Sequence, residues 1–184
     1  MNRTEIREYV EAFVIAVVLA LFIITFLAQS FLVQGSSMEP NLHHGQRLMV
    51  DKLSYRFNKP RLGEIVVFRY PADPRRKFIK RIIGRPGDEI HIERGYVYLN
   101  GKRIEETEVN GPTYGAFSRD YGPVIVPDDS FFVLGDNRRN SDDSRYPDVG
   151  FVPSNMLVGK ALVVYWPVNT VELLSRPDIF IKLE

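Results

Sequence analysis

Hydrophobic and polar positions divide the chain into two unequal parts. Residues 12–28, AFVIAVVLALFIITFLA, are uncharged and almost wholly apolar. With Tyr9 and Val10 before it and QSFLV after it, the run approaches the ~20 residues that a bilayer-spanning helix needs. A helix buried in a protein core is one competing reading. A cleaved export signal is another, but Phe26 stands two before Ala28, where a cleavage site wants a small residue. The pattern predicts an uncleaved anchor over 9–29 behind a short tail, 1–8.

Beyond the anchor the period changes to that of strands. RLMVD (47–51), EIVVFRY (64–70), KFIKRIIG (77–84), FFVLG (131–135) and ALVVYW (161–166) are short β-branched or aromatic runs. EIHIERGYVYLNGKRI (89–104) carries two hairpin signals, Arg94-Gly95 and the stronger Asn100-Gly101, because a type I′ turn needs positive φ at both central residues. GRPGD (84–88) interrupts the pattern before them. No useful helical period follows the anchor. Residues 105–123 are polar and Gly-rich and read as a loop or insert. The expectation is a mainly β, antiparallel domain over 30–184 behind one transmembrane helix.

Composition narrows the classes. The 184 residues suffice for one domain and an appendage, and 45% hydrophobic content supplies a core. A net charge of +1 gives no argument for a nucleic-acid partner. The absence of cysteine excludes a disulfide framework and cysteine-ligated metal sites. Arg3 and Arg7 precede the apolar run, and the next basic residue is Arg47. Positive charge on one flank puts the N-terminus in the cytoplasm and 30–184 on the outer face.

Elimination leaves little chemistry standing. HExxH is absent, and the adjacent His43 and His44 cannot share one helical face as zinc ligands. No Walker A sequence occurs. DNRRNSDDSR (136–145) fails the calcium-loop pattern at Arg138. GSSME is not a G-x-S-x-G elbow, and no serine has a lysine three residues on. What remains is a serine of the 36–37 pair with a lysine base. A lysine serves as a base only when burial lowers its pKa. Lys80 is embedded in FIKRIIG and, in a strand, shares a face with Phe78 and Ile82. From the residues alone, an edge-strand lysine pointing at water remains open, as does the choice between Ser36 and Ser37.

GSSMEP, GEIVVFRYP, KRIIGRPGD and GDNRRNSDDSR, in this order behind an apolar run, resemble the boxes of bacterial type I signal peptidases. The resemblance implies a membrane-anchored serine endopeptidase that cuts exported preproteins after small-x-small (Ala-x-Ala) sites at the bacterial cytoplasmic membrane, with no cofactor and no metal. It implies Ser37 as nucleophile, Lys80 as general base and Ser141 as the hydroxyl that orients the lysine. Arg81 with Asp136, and Asp143 with Arg145, match structural charged pairs. Gly35 stands where some members carry a serine that helps hold the oxyanion. The oxyanion is then left to backbone N–H groups, those of Ser37 and Gly35 being the candidates. Phe31, Val33, Met38, Leu42, Phe78 and Ile79 match the substrate pockets. Implied partners are preproteins and the lipid bilayer. Two alternatives stand beside this reading: a Ser/Lys protease of narrow or self-cleaving specificity, and a non-catalytic anchored β domain. Ser37 lies about eight residues past the apolar run and so within roughly 30 Å of a bilayer surface.

Overall fold

The computed structural model describes residues 3–22, 28–106 and 109–183. The chain opens with helix α1 (Arg3–Phe22), on which every side chain from Ile6 to Leu19 is exposed. Its first three turns carry Arg3, Glu5, Arg7, Glu8 and Glu11. Among the described residues no helix is long and apolar enough to cross a membrane. The predicted anchor over 9–29 is helical only through Phe22, and the part of the apolar run at 23–27 lies outside the described residues. Its far boundary also moves, because Ala28 and Gln29 belong to strand β1 (Ala28–Leu32), paired with β2 (Arg47–Asp51).

The main sheet has eight strands, all antiparallel, in the order β1-β2-β11-β3-β4-β9-β10, with β12 also on β11. Here β3 is Ile65–Tyr70, β4 Asp73–Gly84, β9 Ser130–Leu134, β10 Val152–Pro153, β11 Leu157–Trp166 and β12 Glu172–Leu173. The smaller sheet runs β7-β6-β5-β8, from β5 (Glu89–Glu93), β6 (Tyr96–Leu99), β7 (Lys102–Arg103) and β8 (Tyr121–Ile125). Both expected hairpin turns form, with φ of 53° and 87° at Arg94-Gly95 and 51° and 76° at Asn100-Gly101. Strand β8 begins inside the 105–123 stretch expected to be a loop and runs two residues past it. Gly122 and Pro123 hide it from sequence patterning, and an outer strand tolerates them because its far edge needs no N–H.

Strand β3 shows why the middle of the sheet is nearly all apolar. Ile65 and Val67 point into one core with Val33, Met38, Leu42, Leu48 and Val50. Val66, Phe68 and Tyr70 point into the other, which is shared with the smaller sheet through Ile90, Ile92, Val97 and Leu99. A strand buried on both faces loses the polar alternation of a surface strand. The C-terminal segment closes the second core. Helix α2 is only one turn (Ser54–Phe57), and helix α3 (Asp178–Ile181) seats Phe180 against Gly63. Arg176 Nε donates to Leu62 O at 2.7 Å.

Candidate active site

Ser37 sits in the turn that follows β1. The turn is closed by Val33 N–H on Gln46 O at 2.8 Å and Gly45 N–H on Val33 O at 3.0 Å. Met38 and Leu42 anchor it from beneath, 1% and 0% exposed. Both were expected in the substrate pockets, but they are core: the turn places its apolar residues inward, under the serine.

Lys80 comes from the middle of β4, where the strand passes from exposed to buried. Its Nζ donates to Ser37 Oγ at 2.8 Å and to Ile79 O at 3.0 Å, and the residue is 4% exposed. Burial lowers its pKa from the ordinary lysine value to about 8. The fields of Asp143, Asp142 and Asp136 work in the opposite direction, so desolvation wins.

Ser141 is 8% exposed, and its Oγ has no hydrogen-bond partner among the described residues. The expected bond from Ser141 to Lys80 is thus not formed; the amine turns to Ser37 Oγ and the Ile79 carbonyl instead. Ser141 is nonetheless packed against the nucleophile turn through Gly135. A Cβ at Gly135 would lie 2.2 Å from Ser141 Oγ and 2.5 Å from Ser37 O, so only glycine permits this approach. Asn137 N–H donates to Ser37 O at 3.0 Å and Asn137 Nδ2 to Ser36 O at 3.1 Å. Asn140 Nδ2 donates to Ser36 Oγ at 2.9 Å. Ser36 therefore faces the 137–140 loop and not Lys80.

Two buried ion pairs brace that loop where the sequence placed them. Arg81 grips Asp136 with Nε and Nη2 at 2.8 and 2.7 Å, and Asn41 Nδ2 adds a bond at 2.8 Å. Arg145 grips Asp143 at 2.7 and 2.8 Å, and Gly135 N–H donates to the same carboxylate at 3.0 Å. Sequence reading missed a third pair, Arg138 with Glu106. Nη1 meets Oε2 at 2.5 Å, Nη2 meets Oε1, and Nη1 also reaches Thr113 Oγ1 at 2.6 Å. Its only sequence signal was the density of charge in 136–145; the partner lies 32 residues away. The 105–123 insert is thereby tied to the loop behind Ser37.

A cleft of about 690 Å³ leads to the Ser37–Lys80 pair. One wall follows the chain from Phe31 to Ser37, the other from Arg75 to Lys80, with Leu48 and Val67 also lining it. Of the predicted pocket residues, Phe31, Val33, Phe78 and Ile79 line it. Among the described residues both walls offer unpaired strand edges: β1 pairs only with β2, and β9 pairs with β4 only from Arg81 onward. Gly35 has φ of +91° and no heavy atom within 4 Å of where a Cβ would stand. Its N–H is already used, donating to His44 Nδ1 at 3.1 Å. The Ser37 N–H has no acceptor among the described residues.

The model of the family described as "Signal peptidase, peptidase S26" matches residues 6–166. A probable signal peptidase I-2 of Synechocystis sp. is 48% identical over 91% of this chain and 77% of its own length. The signal peptidase I of Leptolyngbya laminosa is 41% identical, over 95% and 87%. The signal peptidase I T of Bacillus subtilis is 38% identical, over 88% and 86%. With these matches running through the serine turn, the lysine strand and the braced loop alike, the chain belongs to the signal peptidase family, peptidase S26.

Proposed function

We propose that this peptidase is membrane-anchored and removes signal peptides from exported preproteins after small-x-small sites, with Ser37 as nucleophile and Lys80 as general base. The observation that carries the reading is the 2.8 Å approach of a 4%-exposed lysine amine to the Ser37 hydroxyl. Neutral Lys80 takes the Ser37 proton as Oγ attacks the scissile carbonyl. The Ser37 N–H, without an acceptor among the described residues, is left to hold the oxyanion, Gly35 having spent its own on His44. As the C–N bond breaks, the lysine ammonium returns its proton to the leaving amine. A water then loses a proton to Lys80 as it attacks the acyl carbonyl, and Lys80 returns that proton to Ser37 Oγ as the ester C–O bond breaks.

Substrate fits the cleft as an extended strand between the two free edges, its side chains alternating between the walls. Val33, Leu48, Val67 and Ile79 leave shallow apolar room near Ser37, where a large side chain would clash. Membrane anchoring is supported by the apolar run and by α1, whose apolar side chains such as Phe13 and Leu19 have no protein cover. Arg3 and Arg7 on one flank support an outer-face catalytic domain. The test is cleavage of an Ala-x-Ala preprotein by wild type and by Ser37→Ala. Specific release of the mature protein by the first alone is the expected result, and equal cleavage by both contradicts it.

A further inference from the structure

Strand β4 enters the cleft through three consecutive cations, Arg75, Arg76 and Lys77. Arg75 is satisfied locally, its guanidinium on Asp73 at 2.8 and 3.2 Å. Arg76 and Lys77 have no carboxylate partner among the described residues. Aromatic faces hold them instead. The Arg76 guanidinium lies 5.3 Å from the centres of both the Tyr70 and Phe78 rings. Lys77 Nζ lies 5.2 Å from that of Phe31, on the opposite wall. A cation over a ring face is positioned without being neutralised. The nearby carboxylates are already hydrogen-bonded, Asp73 by Arg75, with the charge of Arg76 acting on it from farther off, and Asp148 by the Tyr70 hydroxyl at 2.5 Å. Asp142 also lines the cleft but acts on Lys80, at the catalytic end.

Position follows from strand geometry. At ~3.3 Å per residue, Lys77 and Arg76 lie about 10 and 13 Å before Lys80 along β4. A peptide bound as a strand has the same rise, so these cations flank residues about three to five from the scissile bond. Direction rests on the proposed function. Both cleft walls run toward Ser37 and Lys80, and α1 leads into the far end of one of them. A signal peptide's apolar segment also precedes its cut site, so upstream residues occupy the cationic end.

We propose that Arg76 and Lys77 form a specificity subsite for an acidic side chain four or five residues upstream of the scissile bond, the third being reserved for the small residue of the small-x-small site. Preproteins with Asp or Glu in that stretch are then preferred substrates of this peptidase.

The test uses the full chain in neutral detergent and three peptides with one Ala-x-Ala site, differing only in Glu, Gln or Lys four residues upstream of the cut. The expected kcat/KM for Glu exceeds that for Gln by about fivefold, the size of one or two partly exposed ion pairs. The difference lies mainly in KM and shrinks as salt is raised. Arg76→Glu with Lys77→Glu reverses the order, so that Lys becomes the best peptide. Arg76→Gln with Lys77→Gln abolishes the preference without adding charge. Equal rates on all three peptides by wild type overturn the inference. Unchanged peptide ratios in the swapped variant, with weakened binding to phosphatidylglycerol vesicles, also overturn it by assigning the cations to lipid. Failure of wild type to cleave even the Gln peptide strikes the peptidase reading itself, whereas cleavage of all three at one rate strikes this inference alone.

Discussion

Lys77 and Lys80 stand three residues apart on one strand and live in different solvents. Lys77 is exposed and leans on the Phe31 ring. Lys80 is 4% exposed, hydrogen-bonded to Ser37 and pushed down to about pH 8. The two differ in what lies on the far side of β4. Around Lys77 only β3 is paired, and the other edge opens to the cleft. From Arg81 onward β9 closes that edge, and Ile82, Ile83, Phe132 and Val133 form the core beside it. Lys80 is the last residue before closure. It is therefore dry enough to lose its proton yet still reaches the cleft. Chemistry arises at the boundary between a paired and an unpaired stretch of one strand, not from the residue type.

The strongest way to break the comparison is to fix the charge at the buried position. Lys80→Arg keeps a cation that stays protonated at any usable pH. We expect kcat/KM to fall about 10³-fold or more, within the range a general base contributes. Lys77→Arg should leave the pH dependence of cleavage as it is. Parallel losses in both variants, with both proteins folded, would erase the distinction.

A second test concerns the loop behind Ser37. Arg81 and Asp136 are both buried, so Asp136→Ala takes from a buried guanidinium the carboxylate that it grips with two bonds. A loss of about 3–5 kcal/mol is expected, read by urea unfolding. The exposed pair Arg75–Asp73, on the open half of the same strand, should change stability little when broken, because water screens it. Similar values for the two pairs would contradict the account of where β4 becomes buried.

Stability should carry the lysine's signature as well. The folded pKa of Lys80 lies below its unfolded value, so the unfolded chain binds more protons between about pH 8 and the ordinary lysine value. Stability contributed by this group therefore rises with pH across that window. Lys80→Met removes the dependence and should raise Tm at pH 7, where the buried amine is charged. A lower Tm for that variant would show that the charge is well solvated after all.

Smaller and sharper is Ser141→Ala. Its hydroxyl is buried without a partner, so its removal should leave stability equal or improved. If Ser141 positions the amine during turnover, kcat falls while KM holds. Loss of stability together with unchanged kcat would assign it a purely structural part. Ser36→Ala, which forfeits only the Asn140 bond, should change kcat/KM least.

Much of this was legible in the sequence, for local reasons. RLMVD is a strand at the expected residues because its alternation matches one buried face. Arg94-Gly95 and Asn100-Gly101 announced their turns because few residues adopt positive φ. Ser37, Lys80, Arg81–Asp136 and Asp143–Arg145 were named from the family resemblance, and the chain brings them together. What stayed hidden depended on contacts distant in sequence. Met38 and Leu42 looked like pocket residues because alternation does not say which side of a turn is the core. Arg138–Glu106 was invisible because nothing in GDNRRN names a partner across the insert. The cationic approach at 75–77 carried no signal in the sequence, because it takes the opposite wall, with Phe31, to give it a place.

The most direct test of the central claim is the pH profile of kcat/KM on a small-x-small peptide. A single lysine with its pKa lowered by burial predicts activity that rises with pH, governed by one group with an apparent pKa near 8, and is lost below it. A profile governed by a group near 6.5, the ordinary histidine value, or one flat across pH 7 to 9, would contradict Lys80 as the base and turn attention to His44 beside Gly35.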